Sequence, residues 1–212
     1  YGVRVPHLRR LAKQIAAEDW QAFLATESTC FEEDMLKSIL IPMVRMPATE
    51  RLAYLRKFVP TIRNWAVCDT LCGKWKMNTT ERLLVWDYCL EEIASGEEYR
   101  MRFAAVTMMS NYIEDEHIWD ILYQVTEHSH EGYYYKMAVA WCLSYCYVMF
   151  PYETEEFIFN LEPDVMTMTV QKICDSYRVE PDDKERLKTV KKMLLANRLP
   201  RTQSTAGNIR RK

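Results

Sequence analysis

The stretches MAVAWCLSYCYVM (137–149) and FAAVTMM (103–109) decide the reading of the fold, because each is apolar or small around nearly the whole circumference of a 3.6-residue period. A helix of that kind needs cover on several sides, which a central row in a layered stack of helices provides. The flanking segments carry matching helical signals. Pro6 opens an amphipathic run with Leu8, Leu11, Ile15 and Ala16 on one stripe, a short segment follows around Trp20 to Ala25, and Met35, Ile39 and Met43 form an i, i+4 series within residues 31–46. Pro47-Ala48-Thr49 punctuates the chain, and Pro60 ends a helix over 51–59.

Asn64 is placed to cap a run to residue 76, and Thr79 or Thr80 to cap a run to Ala94 that Ser95-Gly96 stops. Helices over 97–113, 115–127, 132–149, 152–160, 163–177 and 181–196 complete the series. Short connections make consecutive helices antiparallel, and helix pairs recurring about every 35 to 40 residues fit an all-α solenoid, a superhelix whose inner helices build a concave wall. Strand alternation along the chain is absent.

Composition narrows the class further. The chain has 212 residues, 49% of them hydrophobic, and only 5 glycines, which leaves little material for the turns of an all-β barrel. That length buries about 70% of the extended surface, and no apolar run is long enough to span a bilayer. The 7 cysteines include the pairs Cys68/Cys72 and Cys142/Cys146, each one helical turn apart in apolar segments. Such spacing suits buried small hydrophobes rather than a zinc site, and points to free thiols in a reducing cytosol. The net charge of -2 hides an asymmetry: residues 184–212 carry 10 basic residues and one acid, the first 183 carry 18 basic and 29 acidic. The basic end can meet a polyanion or can be a solvated helix followed by a tail. A single domain over 1–199 and a basic, flexible tail over 200–212 are expected.

Three segments carry more chemistry than packing requires, NWAVCDTLC (64–72), YRMRFAAVTMM (99–109) and GYYYKMAVAWCLSYC (132–146), and GVRVPHLRRLAKQIA (2–16) and QKICDSYRV (171–179) join them. In chain order they resemble the AlkD-like DNA alkylation repair family over nearly the whole chain. The resemblance implies HEAT-like helical repeats curved around duplex DNA. It also implies a glycosylase that hydrolyses the N-glycosidic bond of cationic N3- or N7-alkylated purines with neither metal nor organic cofactor. The family's tryptophan and aspartate four apart match Trp65 and Asp69; its arginine before an apolar helix core matches Arg102, and its later tryptophan matches Trp141. Two departures stand: Ser144 where repair-active members resemble one another in carrying arginine, and Val5 where a polar residue precedes the proline. The resemblance further implies a helical segment ahead of Tyr1.

On chemical grounds Asp69 is the catalytic candidate. At i, i+4 it shares a helix face with Trp65, and a fixed carboxylate there would oppose the positive charge that builds on the sugar and orient water. The competing reading is that Asp69 caps a helix or pairs with an arginine across the stack. Trp65 and Trp141 offer π faces to a cationic nucleotide, or are simply core. Arg102, with Arg100 beside it, is expected to hold a DNA phosphate, against a surface salt bridge. Lys136 and the opening cations Arg4, Arg9 and Arg10 are expected backbone contacts, or solvated side chains. Ser144 falls at a DNA-facing position of the family pattern. Of Tyr133, Tyr134 and Tyr135, at most two can line one groove, with packing between repeats as the alternative.

The histidines form no HExxH, and Rossmann, phosphate-loop and zinc-finger patterns are absent. The resemblance implies as partner double-stranded DNA containing alkylated bases, and the expectation is a cytoplasmic, nucleoid-associated monomer without metal, cofactor or membrane. The alternative is a non-catalytic helical module that binds structured DNA or a protein.

Overall fold

The computed structural model describes residues 1–114 and 116–198. Among them it has twelve α-helices, one 3-10 turn at Val59–Thr61 and no strand: α1 (Val5–Ala17), α2 (Trp20–Ala25), α3 (Phe31–Met43), α4 (Ala48–Phe58), α5 (Trp65–Leu71), α6 (Thr79–Ile93), α7 (Glu98–Asn111), α8 (Ile118–Glu127), α9 (Tyr133–Met149), α10 (Pro151–Asn160), α11 (Pro163–Asp175) and α12 (Pro181–Arg198). The expected basic tail, 200–212, lies outside the described residues.

The helices sort into two rows. Each odd-numbered helix from α1 to α11 packs on the next odd-numbered one, while α4, α6, α8 and α10 pack in sequence behind them; α12 covers α11 at the end. This is an α-solenoid of HEAT-like helical pairs. The row position explains the apolar circumference of α7. Every residue from Met101 to Met109 is buried, because α5 and α9 flank the helix and α6 and α8 lie against it. Burying Phe103 alone contributes about 2 to 3 kcal/mol. One core runs from Leu8 to Leu187, and it includes Cys68, Cys72, Cys142 and Cys146, which are free thiols filling space.

Local signals set most helix starts. Asn64 Oδ1 accepts from the Val67 amide at 3.0 Å and caps α5. The expectation that Thr79 or Thr80 caps α6 fails, because Glu81 lies three residues after Asn78 and only Asn78 can use it. Asn78 Oδ1 accepts from the Glu81 amide at 2.9 Å, and Glu81 Oε2 accepts from the Asn78 amide at 3.1 Å. Gly96, at φ 71°, turns the chain out of α6 in a backbone region where a side chain would be strained.

The helix expected over 64–76 stops at Leu71 for a tertiary reason. Asn111 on α7 accepts from the Trp75 amide at 2.9 Å and donates to the carbonyls of Cys72 and Gly73, both at 3.3 Å. The Trp75 indole donates to the Leu71 carbonyl at 2.6 Å. These bonds replace the helical ladder and hold residues 72–76 as an ordered loop. Likewise α8 begins at Ile118 rather than at 115, with His117 stacked on Trp86 at 4.6 Å.

Candidate active site and nucleic-acid interface

Asp69 sits in the middle of the odd row, between Trp65 on its own helix and Arg102 on α7. Trp65 is the first residue of α5 and is 53% exposed, so its indole is on offer rather than packed. One turn later, both oxygens of Asp69 are held by Arg102: Nε donates to Oδ1 at 2.9 Å and Nη2 to Oδ2 at 2.8 Å. Arg102 Nη1 donates to the Tyr134 carbonyl on α9 at 2.6 Å, so one guanidinium ties three helices of the row together. Burial opposes the charge on Arg102, but the Asp69 hydrogen bonds and charge hold its pKa above the ordinary value.

The structure places Arg102 inside the stack rather than at its surface: its side chain is 5% exposed and three of its five donors are taken, whereas the Asp69 side chain, at 19%, keeps an open edge. The pairing across the stack weighed for Asp69 is present. Three other expected DNA contacts are also committed elsewhere. Arg100 is clamped by Glu92, at 2.6 and 3.1 Å, and by Glu97 at 3.0 Å. Lys136 Nζ bridges Asp164 at 2.8 Å and Glu131 at 3.1 Å, hydrogen bonds that raise its pKa. Ser144 is buried and donates to the Trp141 carbonyl at 2.7 Å, so its hydroxyl faces its own helix.

Arg4 remains exposed just before α1 and forms no ion pair among the described residues. Trp141 is half-buried, with Tyr145 edge-on at 6.2 Å. It lies seven residues after Tyr134 on α9, two turns along the same face. The tyrosine triplet divides as helical geometry requires. Tyr135 is buried and donates to the His128 carbonyl at 3.1 Å, whereas Tyr133 and Tyr134 are exposed. Glu98 accepts from the Tyr134 amide at 2.6 Å and so docks the start of α9 on α7. Gly132 permits this, since a Cβ there would collide with the Glu98 carboxyl group.

Sequence reasoning missed where the free cations gather. A groove of about 950 Å³ lies across α1, the end of α3 and the loop after α5, and Arg9, Lys13, Arg45, Lys74 and Lys76 line it. None of the five forms an ion pair among the described residues, and all are exposed. The groove's Arg51 differs: it is buried against Glu81 at 3.0 Å, donates to the Val44 carbonyl at 3.0 Å and also to the Ile41 carbonyl, which caps the end of α3. Lys74 and Lys76 flank the anchored Trp75, so the Asn111 bonds that shorten α5 also fix these cations. Their sequence signal was the i, i+4 pair Arg9/Lys13 and the Lys-Trp-Lys triplet, neither of which identifies a shared groove by itself.

Burial pushes the Cys68 thiol, next to Asp69, well up, which leaves it inert as a nucleophile. No group of three or more metal-ligating side chains lies together among the described residues, and no helix there is long and apolar enough to cross a membrane.

A family model described as DNA alkylation repair enzyme matches residues 1–176. No curated protein and no solved structure gives a significant match to the chain. The matched region takes in the whole odd row, α1 to α11, with the Asp69–Arg102 pair at its centre and the cation-lined groove beside it. The chain therefore belongs to the DNA alkylation repair enzyme family, as an AlkD-like protein with a role in DNA repair.

Proposed function

We propose that this protein is a DNA glycosylase that hydrolyses the N-glycosidic bond of cationic N3- or N7-alkylated purines in duplex DNA. The observation that carries the reading is the clamped carboxylate: Asp69 is fixed at both oxygens, keeps an open edge, and stands one turn from an exposed indole. The C1′–N bond breaks with its electron pair passing to the purine, which cancels the purine's positive charge, so no acid is needed to protonate the leaving group. Positive charge grows on the sugar instead. The Asp69 carboxylate opposes that charge, and its free lone pairs orient the water that adds to C1′ and accept the proton that this water loses, which then passes to solvent. Arg102 acts as a positioning residue that keeps the carboxylate from rotating. Trp65 and Trp141 supply π faces to the cationic nucleotide. The phosphate contacts fall to Arg9, Lys13, Arg45, Lys74 and Lys76, the exposed cations of the open groove.

A second reading, a DNA-binding module without excision, draws on the same ion pair, because the Arg102 charge offsets that of Asp69. Single-turnover release of base from a duplex with a defined N7-methylguanine separates the two. Asp69→Asn is expected to slow release by about 10² to 10³ while duplex affinity holds or rises slightly. Equal rates for the two proteins would remove the carboxylate from the mechanism. Absence of release by the wild type, with N3-methyladenine substrate as well, would overturn the glycosylase reading and favour the binding module.

A further inference from the structure

The far end of the odd row carries a second cationic feature, separated from the groove by the Asp69–Arg102 centre along the row. A cleft of about 310 Å³ lies between α9 and the loop joining α11 to α12, walled by Trp141, Tyr145, Lys172 and Arg178. We propose that Arg178 binds a DNA phosphate beside Trp141. The inference rests on the duplex-binding part of the function proposed above.

The arginines of this protein fall into distinct groups. Arg51, Arg56, Arg82, Arg100, Arg102 and Arg186 are each closed on a carboxylate. Arg178 has no ion pair among the described residues, although it is neither remote nor unsupported. Its guanidinium carbon stands 4.9 Å from the centroid of the Tyr145 ring, and Tyr145 is in turn edge-on to Trp141 at 6.2 Å. Stacking fixes the plane of a guanidinium while leaving its N–H edge free, and that edge is the part that matches a phosphate.

The loop beneath is anchored, since the Arg178 amide donates to Ser176 Oγ at 3.2 Å and the next residue, Val179, is buried. Lys172 adds a second cation on the same wall, also without an ion pair among the described residues. The acid at the rim, Asp175, accepts from Gln171 Nε2 at 2.8 Å. An anion entering this cleft meets two cations, one carboxylate already engaged, and an aromatic wall that leads to Trp141.

The test measures affinity of the full chain for an unmodified duplex across a salt series, with melting curves on the same proteins. Arg178→Ala is expected to bind about tenfold more weakly at low salt and to lower the slope of log affinity against log salt by about 0.9, the value of one phosphate contact in B-DNA. Arg178→Lys should keep the slope and lose part of the affinity, because the charge survives while the stacked fork does not. Arg56→Ala, on the other row, should leave both unchanged. A wild-type slope and affinity in Arg178→Ala would overturn this inference and leave the glycosylase reading standing. A wild type that binds no duplex at any salt would overturn duplex binding itself, and this inference with it.

Discussion

The cations of the central repeats and those of the first repeats have opposite fates. In the centre, Arg100, Arg102 and Lys136 are each bound to carboxylates, and they hold α5, α6, α7, α9 and α11 in register. Across α1, α3 and the loop after α5, Arg9, Lys13, Arg45, Lys74 and Lys76 face an open groove without a carboxylate partner among the described residues. A cation that holds a largely buried carboxylate, as Arg100 holds Glu92 and Arg102 holds Asp69, has little to give a phosphate, because releasing it leaves a desolvated charge behind; Lys136, shared by the exposed Asp164 and Glu131, is committed by two partners rather than by burial. A free, exposed cation gives its hydration water and counterions at small cost. The positive residues of this protein therefore divide into those that build the scaffold and those left free to meet an anion, and the division follows pairing and burial rather than residue type.

Arg51 and Arg45 give this division its largest test, since they share one groove. Arg51→Ala removes one half of a buried ion pair and two bonds to the end of α3, so unfolding free energy measured by denaturant titration is expected to fall by about 3 to 5 kcal/mol. Arg45→Ala is expected to stay within about 0.5 kcal/mol of wild type while weakening duplex binding. Equal stability losses for the two would erase the distinction.

The next test concerns binding alone. Replacing Lys74 and Lys76 together by alanine is expected to reduce the slope of log affinity against log salt by about 1.8, with similar weakening on duplexes of unrelated sequence, whereas Lys136→Ala should leave the slope unchanged. A slope that responds to Lys136 and not to the Lys74/Lys76 pair would reverse the assignment of the two regions.

The smallest expected effect lies in pH dependence at the centre. Hydrogen bonding to Lys136 holds the Asp164 carboxyl below its ordinary 3.8. A depressed folded-state value means that the pair's contribution is complete above about pH 4 and is lost as pH falls through the lower value. The raised value of Lys136 bounds the contribution at the alkaline end, where it disappears as pH rises above about 10.5. Melting temperatures of wild type and Asp164→Asn should therefore differ slightly at neutral pH and converge in acid. A gap that widens as the pH falls below 4 would contradict the pairing.

Much of the fold was legible from residues close together in the chain. The apolar circumference of 103–109 and 137–149 identified central-row helices, Asn64 announced α5, and Gly96 announced the end of α6. Trp65 and Asp69 were legible as a shared helix face because their spacing is itself the helical period. The end of α5 was not legible, since Asn111, 36 residues from Trp75, decides it. The carboxylates that meet Arg102 and Lys136 were not legible for the same reason, lying 33 and 28 positions away.

By itself the sequence determined what local physics controls: helix after helix, the caps and breaks between them, the apolar faces that force two rows, and the tryptophan–aspartate face of α5. Only the tertiary structure decided which cation meets which anion. Arg51 finds Glu81 across 30 positions, Arg102 finds Asp69 across 33, and Lys136 finds Asp164 across 28. Periodicity relates residues within a few turns of one helix, whereas charge pairing depends on distance and burial between different helices. Whether an arginine builds the stack or reaches for DNA is therefore settled when the rows pack.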